Sequence, residues 1–396
     1  MNKLKIITGS GILTNNQVEE VMMLLPEVDY ELLEIQSFED KNKELSQLTD
    51  VFKYFFTLNA DEAILLGKGD IAIHSATDLP YPLTTGLEII ALIKAADQSD
   101  CLSSLNNHPL QGHIAVISRE GNVFLRDLFS PLDLRKSYGK VYIAGFGPGD
   151  PELLTVKAHK ALQQADIIFH DCLLNKDYLD NFKGEKICSG KRKDNHVKEQ
   201  DEINKLLYKA AISGKQVVRI KGGDPLIFGR GGEEFFYLKE RLIDVQIIPG
   251  ITSALAAAAI AGIPLTQRGI SSSVAFCTGH PVSSIQIPDT DTIVFYMSAS
   301  NLDIICNKLI ESGRTANTAV AIIENISLPN QRIITGTISE ILLKTNSYHT
   351  PLVFILGDVV KLNYLIKKSV QRDNTCNERR KPVNNKRERA NGLPTR

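Results

Sequence analysis

The run GKVYIAGFGPGDPELLTVKAHKALQQADIIFHD, residues 139–171, constrains this chain more than any other stretch. Val141, Tyr142, Ile143 and Ala144 make a short apolar strand. Gly145, Gly147 and Gly149 then open a turn in which backbone N–H groups can come close to a ligand. Pro148 stiffens that turn and Asp150 caps it. Leu153, Leu154, Val156, Ala158, Ala161 and Leu162 recur at helical spacing, and Ile167, Ile168 and Phe169 predict a second strand that ends at Asp171. Strand, glycine turn, helix and strand open a parallel α/β sheet, where ligands bind at the carboxyl ends of strands. By itself the pattern also fits a plain βα turn.

A length of 396 residues allows two or three domains. The composition, 43% hydrophobic and 23% charged, is that of a soluble globular protein, and a net charge of −1 offers no general attraction to nucleic acid or membrane. The amino terminus, MNKLKIITGSGIL, reads as a first strand and not as a targeting peptide. The longest apolar run, Ile251 to Leu265, is Ala-rich and too short to span a bilayer. Cys101, Cys172, Cys188, Cys277, Cys306 and Cys376 are scattered without a CxxC pair, which predicts isolated thiols in a cytoplasmic protein. The histidines show no metal-ligand spacing, so no metal is expected.

Three parts follow from the patterning. Residues 1–136 alternate strand-like runs (Lys5–Thr8, Ile71–His74, Leu87–Leu92, Ile114–Ile117) with helical ones such as Gln17–Leu25. Residues 137–366 divide near Pro249–Thr252 into parts of about 137–250 and 251–366, the second with strands at Val274–Thr278, Thr292–Met297, Ala319–Ile323 and Leu352–Leu356. Residues 367–396 hold almost no apolar side chains and read as a disordered basic tail.

Downstream of the glycine turn lie GKRKDNH at 190–196, VVRIKGGDPLIFGRGGEE at 217–234, IIPGITSALAAAAIAGIPLTQR at 247–268 and VFYM at 294–297. With GFGPGD, this ordered set resembles the tetrapyrrole methyltransferases, in particular those that methylate uroporphyrinogen III. The resemblance covers about residues 139–362. It implies an α/β fold of two lobes with the active-site cleft between them, a homodimer, S-adenosylmethionine as donor (leaving S-adenosylhomocysteine) and a porphyrinogen as acceptor.

Methyl transfer to carbon needs a nucleophilic carbon aligned with the sulfonium methyl, and much of the rate comes from positioning the two. Protons on the macrocycle must then be handled by a carboxylate and a cation. By the resemblance, Asp171 is the proton acceptor and Lys191 the proton donor; read from the residues alone, Asp171 is also a fitting strand-end cap and Lys191 part of a solvated basic cluster. The arginine expected after Asp171 is Cys172 here. An acceptor with eight carboxylates calls for cations, and Arg230 and Arg268, with Glu233, occupy the matching positions. Gln267 and Gly269 stand where the family has His and Asp. Pro148, Gly222, Gly223, Asp224, Ile227, Thr252, Ser253, Met297 and Ile326 match the donor-binding positions, although the family often has glycine at the place of Ile326. Thr252 and Ser253 also suit the N-cap of the Ala-rich helix.

The first part carries its own echo. GKGDIAIHSATDLP at 67–80, followed by GLEIIALIKAAD, resembles the first domain of porphobilinogen deaminase (hydroxymethylbilane synthase), and Asp78 matches its catalytic carboxylate. Thr77 replaces the basic residue before it, and no primer-bearing cysteine domain is recognisable, so a degenerate, non-catalytic relative is expected. Read alone, His74 is a strand-end residue and Asp78 a helix N-cap.

The sequence therefore predicts an S-adenosylmethionine-dependent C-methyltransferase converting uroporphyrinogen III to precorrin-2, for sirohaem or cobalamin, by methylation at ring carbons C2 and C7. The alternatives are another precorrin methyltransferase, or a tetrapyrrole-binding protein without catalysis.

Overall fold

The computed structural model describes residues 3–9, 12–35, 55–96, 110–171, 174, 176–189, 200–343 and 348–363. They gather in two compact units. The first is drawn from within Met1–Ala144, Val156–Lys221 and Arg230–Ile248, the second from within Gly145–Thr155, Gly222–Gly229 and Pro249–Arg396.

The first unit holds two sheets. One is built from β1 (Leu4–Gly9), β2 (Tyr30–Ile35), β3 (Ile71–Ser75), β4 (Leu87–Lys94) and β5 (His113–Arg119), with α1 (Ile12–Met23), α2 (Phe55–Leu65) and α3 (Val123–Phe129). Its order is β2-β1-β3-β5-β4, with β1 parallel to β2 and β3, and β5 antiparallel to β3 and β4. Strand alternation sends Ile6, Ile71 and Ile73 to the face packed with Val18, Val21, Leu125 and Phe129. Ile7 and Ala72 go to the other face, against Ala60, Ala63 and Ile64.

The second sheet contains β6 (Val141–Gly145), β7 (Ile167–His170), β8 (Glu185–Cys188), β9 (Val217–Lys221) and β10 (Val245–Ile248). Its helices are α4 (Val156–Gln164), α5 (Lys176–Leu179), α6 (Gln200–Ile212) and α7 (Gly231–Lys239). The order is β10-β6-β9-β7-β8, so the chain leaves β6 for β7 and returns to fill the gap with β9. That reversal beside β6 is the kind of switch point where α/β sheets place ligands. Leu153 and Leu154 fall outside α4. Asp150 Oδ1 accepts from Glu152 N at 2.9 Å and seeds a separate short turn, Pro151–Leu153, so the helix starts only at Val156.

The third sheet lies in the second unit: β11 (Val274–Thr278), β12 (Thr292–Tyr296), β13 (Ala319–Glu324), β14 (Arg332–Thr337) and β15 (Leu352–Leu356), with α8 (Ser253–Ala261), α9 (Leu302–Glu311) and α10 (Ile338–Leu342). Its order is β11-β12-β15-β13-β14 and only β11 and β12 are parallel. Alternate residues bury Val294, Ala321 and Ile355 under α8, and Phe295, Ile322 and Phe354 under α9 and α10. The Ala run of α8 gives that helix small side chains for its packing, and Gly262 ends it with φ 62°.

Among the described residues no helix is long and apolar enough to cross a membrane, and no cluster of three metal-ligating side chains occurs. Cys277 and Cys306 are free, as expected, and burial pushes the Cys306 thiol up to about 12. Cys188, at the end of β8, is disulfide-bonded, which corrects the expectation of isolated thiols at that position. Asp78 is not an N-cap: it closes a short turn, Ala76–Asp78, that Ser75 precedes.

Candidate active site

In the second unit, three glycine turns that are far apart in sequence pack backbone against backbone. Gly147 and Gly223 exchange both hydrogen bonds, at 3.2 and 2.7 Å. Asp224 Oδ2 accepts from Gly250 N at 3.0 Å, and its Oδ1 accepts from Leu226 N at 2.8 Å. A Cβ on Gly145 would lie 2.6 Å from Gly250 Cα and 2.5 Å from Gly223 O. Gly223 has φ 67°, a conformation that side chains disfavour. The turns thus pack main chain on main chain with no side chain between them, and Asp224 ties two of them together.

The remaining expected donor contacts lie in the same unit as this cradle. Asp150 N donates to Ser327 Oγ at 2.9 Å, joining the first turn to the loop that contains Ile326. Ile326 is buried in the same cluster as Ile227 and Tyr296. Pro148 sits between Gly147, φ 82°, and Gly149, φ 144°. Met297 follows β12 in a left-handed conformation, φ 52°, and is half exposed. Thr252 occupies the N-cap of α8, followed by Ser253, but its hydroxyl makes no capping bond. Instead Thr252 Oγ1 and Tyr296 OH are 2.6 Å apart, and Tyr296 OH accepts from Ala254 N at 3.3 Å. Tyr296 therefore supplies the cap that Thr252 was expected to give.

The first unit holds a buried network of charges. Asp171 follows β7, and its Oδ1 accepts from Arg219 Nη2 at 2.6 Å. Arg219 stands opposite Phe169 on β9 and is 3% exposed. Its Nε donates to Glu234 Oε1 at 3.1 Å, as does Lys221 Nζ at 2.9 Å and Gln200 Nε2 at 3.1 Å. Glu234, in the first turn of α7, is fully buried. Two carboxylates and two cations balance in this network, which is what lets charges remain in an interior. Burial works against the charge on Arg219, but Glu234 and Asp171 outweigh it and hold its pKa above the ordinary value. For Lys221 burial prevails, with Arg219 adding repulsion, and its pKa falls.

Arg230 precedes α7 with φ 59° and forms a bidentate pair with Glu233, 2.9 and 2.7 Å. Both side chains are more than half exposed. Arg268 is exposed at a turn closed by Gln267 N donating to Ser271 O at 2.9 Å. Lys191, its neighbours through His196, Cys172 and the tail 367–396 lie outside the described residues. Sequence reasoning missed Arg219, Lys221, Glu234 and Tyr296. The signal for the first two was present, since two cations two apart on the apolar strand VVRIK must share a face.

The glycine cradle, the buried charge network and the sheet order define an α/β class that comparison with known proteins identifies. The family Tetrapyrrole (Corrin/Porphyrin) Methylases matches residues 140–342, half of the chain, and the protein belongs to that family. Residues 4–142 match Porphobilinogen deaminase, dipyromethane cofactor binding domain. Within the family, the chain is 48% identical over 241 residues to the siroheme synthase of Psychrobacter arcticus, covering 58% of this chain and 44% of that protein. It thus spans about half the length of the curated relatives it matches. Among solved structures, uroporphyrin-III-C-methyltransferase from Thermus thermophilus is 35% identical with a TM-score of 0.52, over 57% of this chain and 96% of that one. The same enzyme complexed with S-adenyl homocysteine is 35% identical with a TM-score of 0.50, over 57% and 94%.

Proposed function

We propose that this chain transfers methyl groups from S-adenosylmethionine to carbons of uroporphyrinogen III, making precorrin-2 on the route to sirohaem. The observation that carries the reading is the cradle of Gly145, Gly223 and Gly250, where the turns at the carboxyl ends of β6, β9 and β10 meet without side chains between them, at the strand ends where α/β sheets bind ligands. It is supported by the likeness to a methyltransferase complexed with the donor's demethylated product.

The residues fit the donor: Pro148, Gly222, Gly223, Asp224, Ile227, Thr252, Ser253, Met297 and Ile326 all belong to the one unit that contains the cradle. When bound, the donor supplies an electrophilic methyl on a sulfonium. Asp171, fixed by Arg219, is the group that accepts a proton at its carboxylate, and Lys191 is the donor on the opposite side of the proton balance. Arg230 holds a substrate carboxylate by releasing Glu233, an exchange that costs little because the pair is exposed. Arg268 offers a second exposed cation.

The front domain is proposed as non-catalytic, since Thr77 spends its hydroxyl on Asp78 Oδ1, 3.1 Å away, where a cation would be needed for acidic pyrroles. The test is anaerobic incubation with uroporphyrinogen III and labelled donor. Dimethylated product carrying label is expected; donor binding without label transfer to any porphyrinogen would overturn the reading.

A further inference from the structure

The turn that follows α7 contains an anomaly. Ile243 N donates to Leu238 O at 3.1 Å and Leu242 N to Lys239 O at 2.9 Å, the two bonds of a Schellman turn. The residue that must be left-handed in such a turn is Leu242, at φ 58°. Glycine is the residue that adopts this conformation without strain, and a branched-chain residue persists there only where its surroundings hold it. What holds it is the first sheet. Leu242 packs on the buried cluster of Ala76, Leu92, Leu110 and Ala115, beside Tyr138.

The other end of α7 carries the charged machinery. Arg230 and Glu233 pair at its start, and Glu234 anchors Arg219, which in turn holds Asp171. A helix of nine residues is only about 13 Å long, so a shift at one end is felt at the other. Much of the junction around Leu242 is not packed solid: a cavity of about 800 Å³ lies there, lined in part by Tyr81, Tyr138, Lys239 and Glu240. Leu242, Ala76 and Leu110 form part of its wall, so the Leu242 contact is one of the few apolar attachments across this junction.

We propose that Leu242 is a positioning residue for methyl transfer: it clamps α7 to the first sheet, and the front domain serves the reaction by bracing the helix that bears Arg230, Glu233 and Glu234. The proposal rests on the methyltransferase reading for its kinetic consequences, but not for its structural one.

Leu242→Gly in the full chain separates the two roles of the side chain, because glycine suits the left-handed turn and removes only the clamp. Amide hydrogen exchange across Gly231–Lys239 is expected to accelerate. The KM for uroporphyrinogen III is expected to rise on the order of tenfold, within the hundredfold that a displacement of about 1 Å can cost. Donor affinity by calorimetry should stay unchanged, since the glycine cradle belongs to the other unit. Leu242→Met should restore both exchange and KM. Wild-type exchange in α7 of Leu242→Gly would overturn the clamp, and accelerated exchange with an unchanged KM would overturn its service to the reaction. If the wild-type chain methylates no porphyrinogen, the functional reading fails, and the exchange rates alone still decide whether the clamp exists.

Discussion

Arg219 donates to Asp171 at 2.6 Å from a strand position where 3% of its side chain reaches solvent, while Asp171 itself is 34% exposed. The pair joins an interior cation to a carboxylate that solvent can reach. Glu234 completes the connection from below, so the exposed acid is oriented by groups that have no freedom to follow solvent.

That arrangement predicts different outcomes for its members. Arg219→Leu leaves Glu234 and Asp171 short of a cation and should lower unfolding free energy by about 3–5 kcal/mol. Asp171→Asn keeps a hydrogen-bond acceptor for Arg219 but takes one charge from the balance, so urea unfolding should show a smaller loss than Arg219→Leu while methyl transfer falls steeply. Equal activity of Asp171→Asn and wild type would remove Asp171 from the chemistry.

Gly223→Val should abolish donor binding. The residue has φ 67°, which a β-branched side chain resists, and its carbonyl and N–H both bond Gly147. Calorimetric titration with S-adenosylmethionine reads the result, and an unchanged affinity would show the turn to be structural alone.

The Tyr296 hydroxyl serves Thr252 and the start of α8 from a position 9% exposed. Burial raises its pKa, so it remains a neutral phenol across the working range. Tyr296→Phe leaves Thr252 Oγ1 and Ala254 N without that partner and should cost about 1–3 kcal/mol in urea unfolding.

His74 gives the front domain a pH dependence. Burial lowers its pKa from 6.5 to about 4, and its Nε2 is buried without a partner. Above pH 6.5 the imidazole is neutral in both states and stability is unaffected. As pH falls from 6.5 towards 4, the unfolded chain takes up a proton that the fold refuses, and stability drops by up to about 3 kcal/mol. His74→Gln should flatten this slope in unfolding measured at pH 7 and pH 4.5.

How legible all this was in the sequence depended on pattern strength. Alternating or continuous apolar runs such as Ile71–Ser75 and Leu352–Leu356 declared their strands because both faces are covered. Tyr30–Ile35 did not, since it is an edge strand with mostly exposed side chains and little contrast between its faces. The glycines and Asp224 could be read because turns demand specific residue types. The buried charge network could not, because its pairing joins β7, β9, α6 and α7, and no local spacing records which strand end will meet which helix start. Leu242 was hidden for the opposite reason: nothing about a leucine in a polar stretch announces a left-handed backbone.

The contact between Gly145 and Gly250 limits how this molecule can change. A Cβ on either would lie 2.6 to 2.7 Å from the other's Cα, and each would also strike the Gly223 carbonyl. Proteins commonly absorb an enlarged residue by trimming its neighbour, but here the neighbour has no side chain to trim. No pair of compensating substitutions exists at these positions. Variation here must instead come from shifting whole loops, which leaves the three glycines as one indivisible element of the fold.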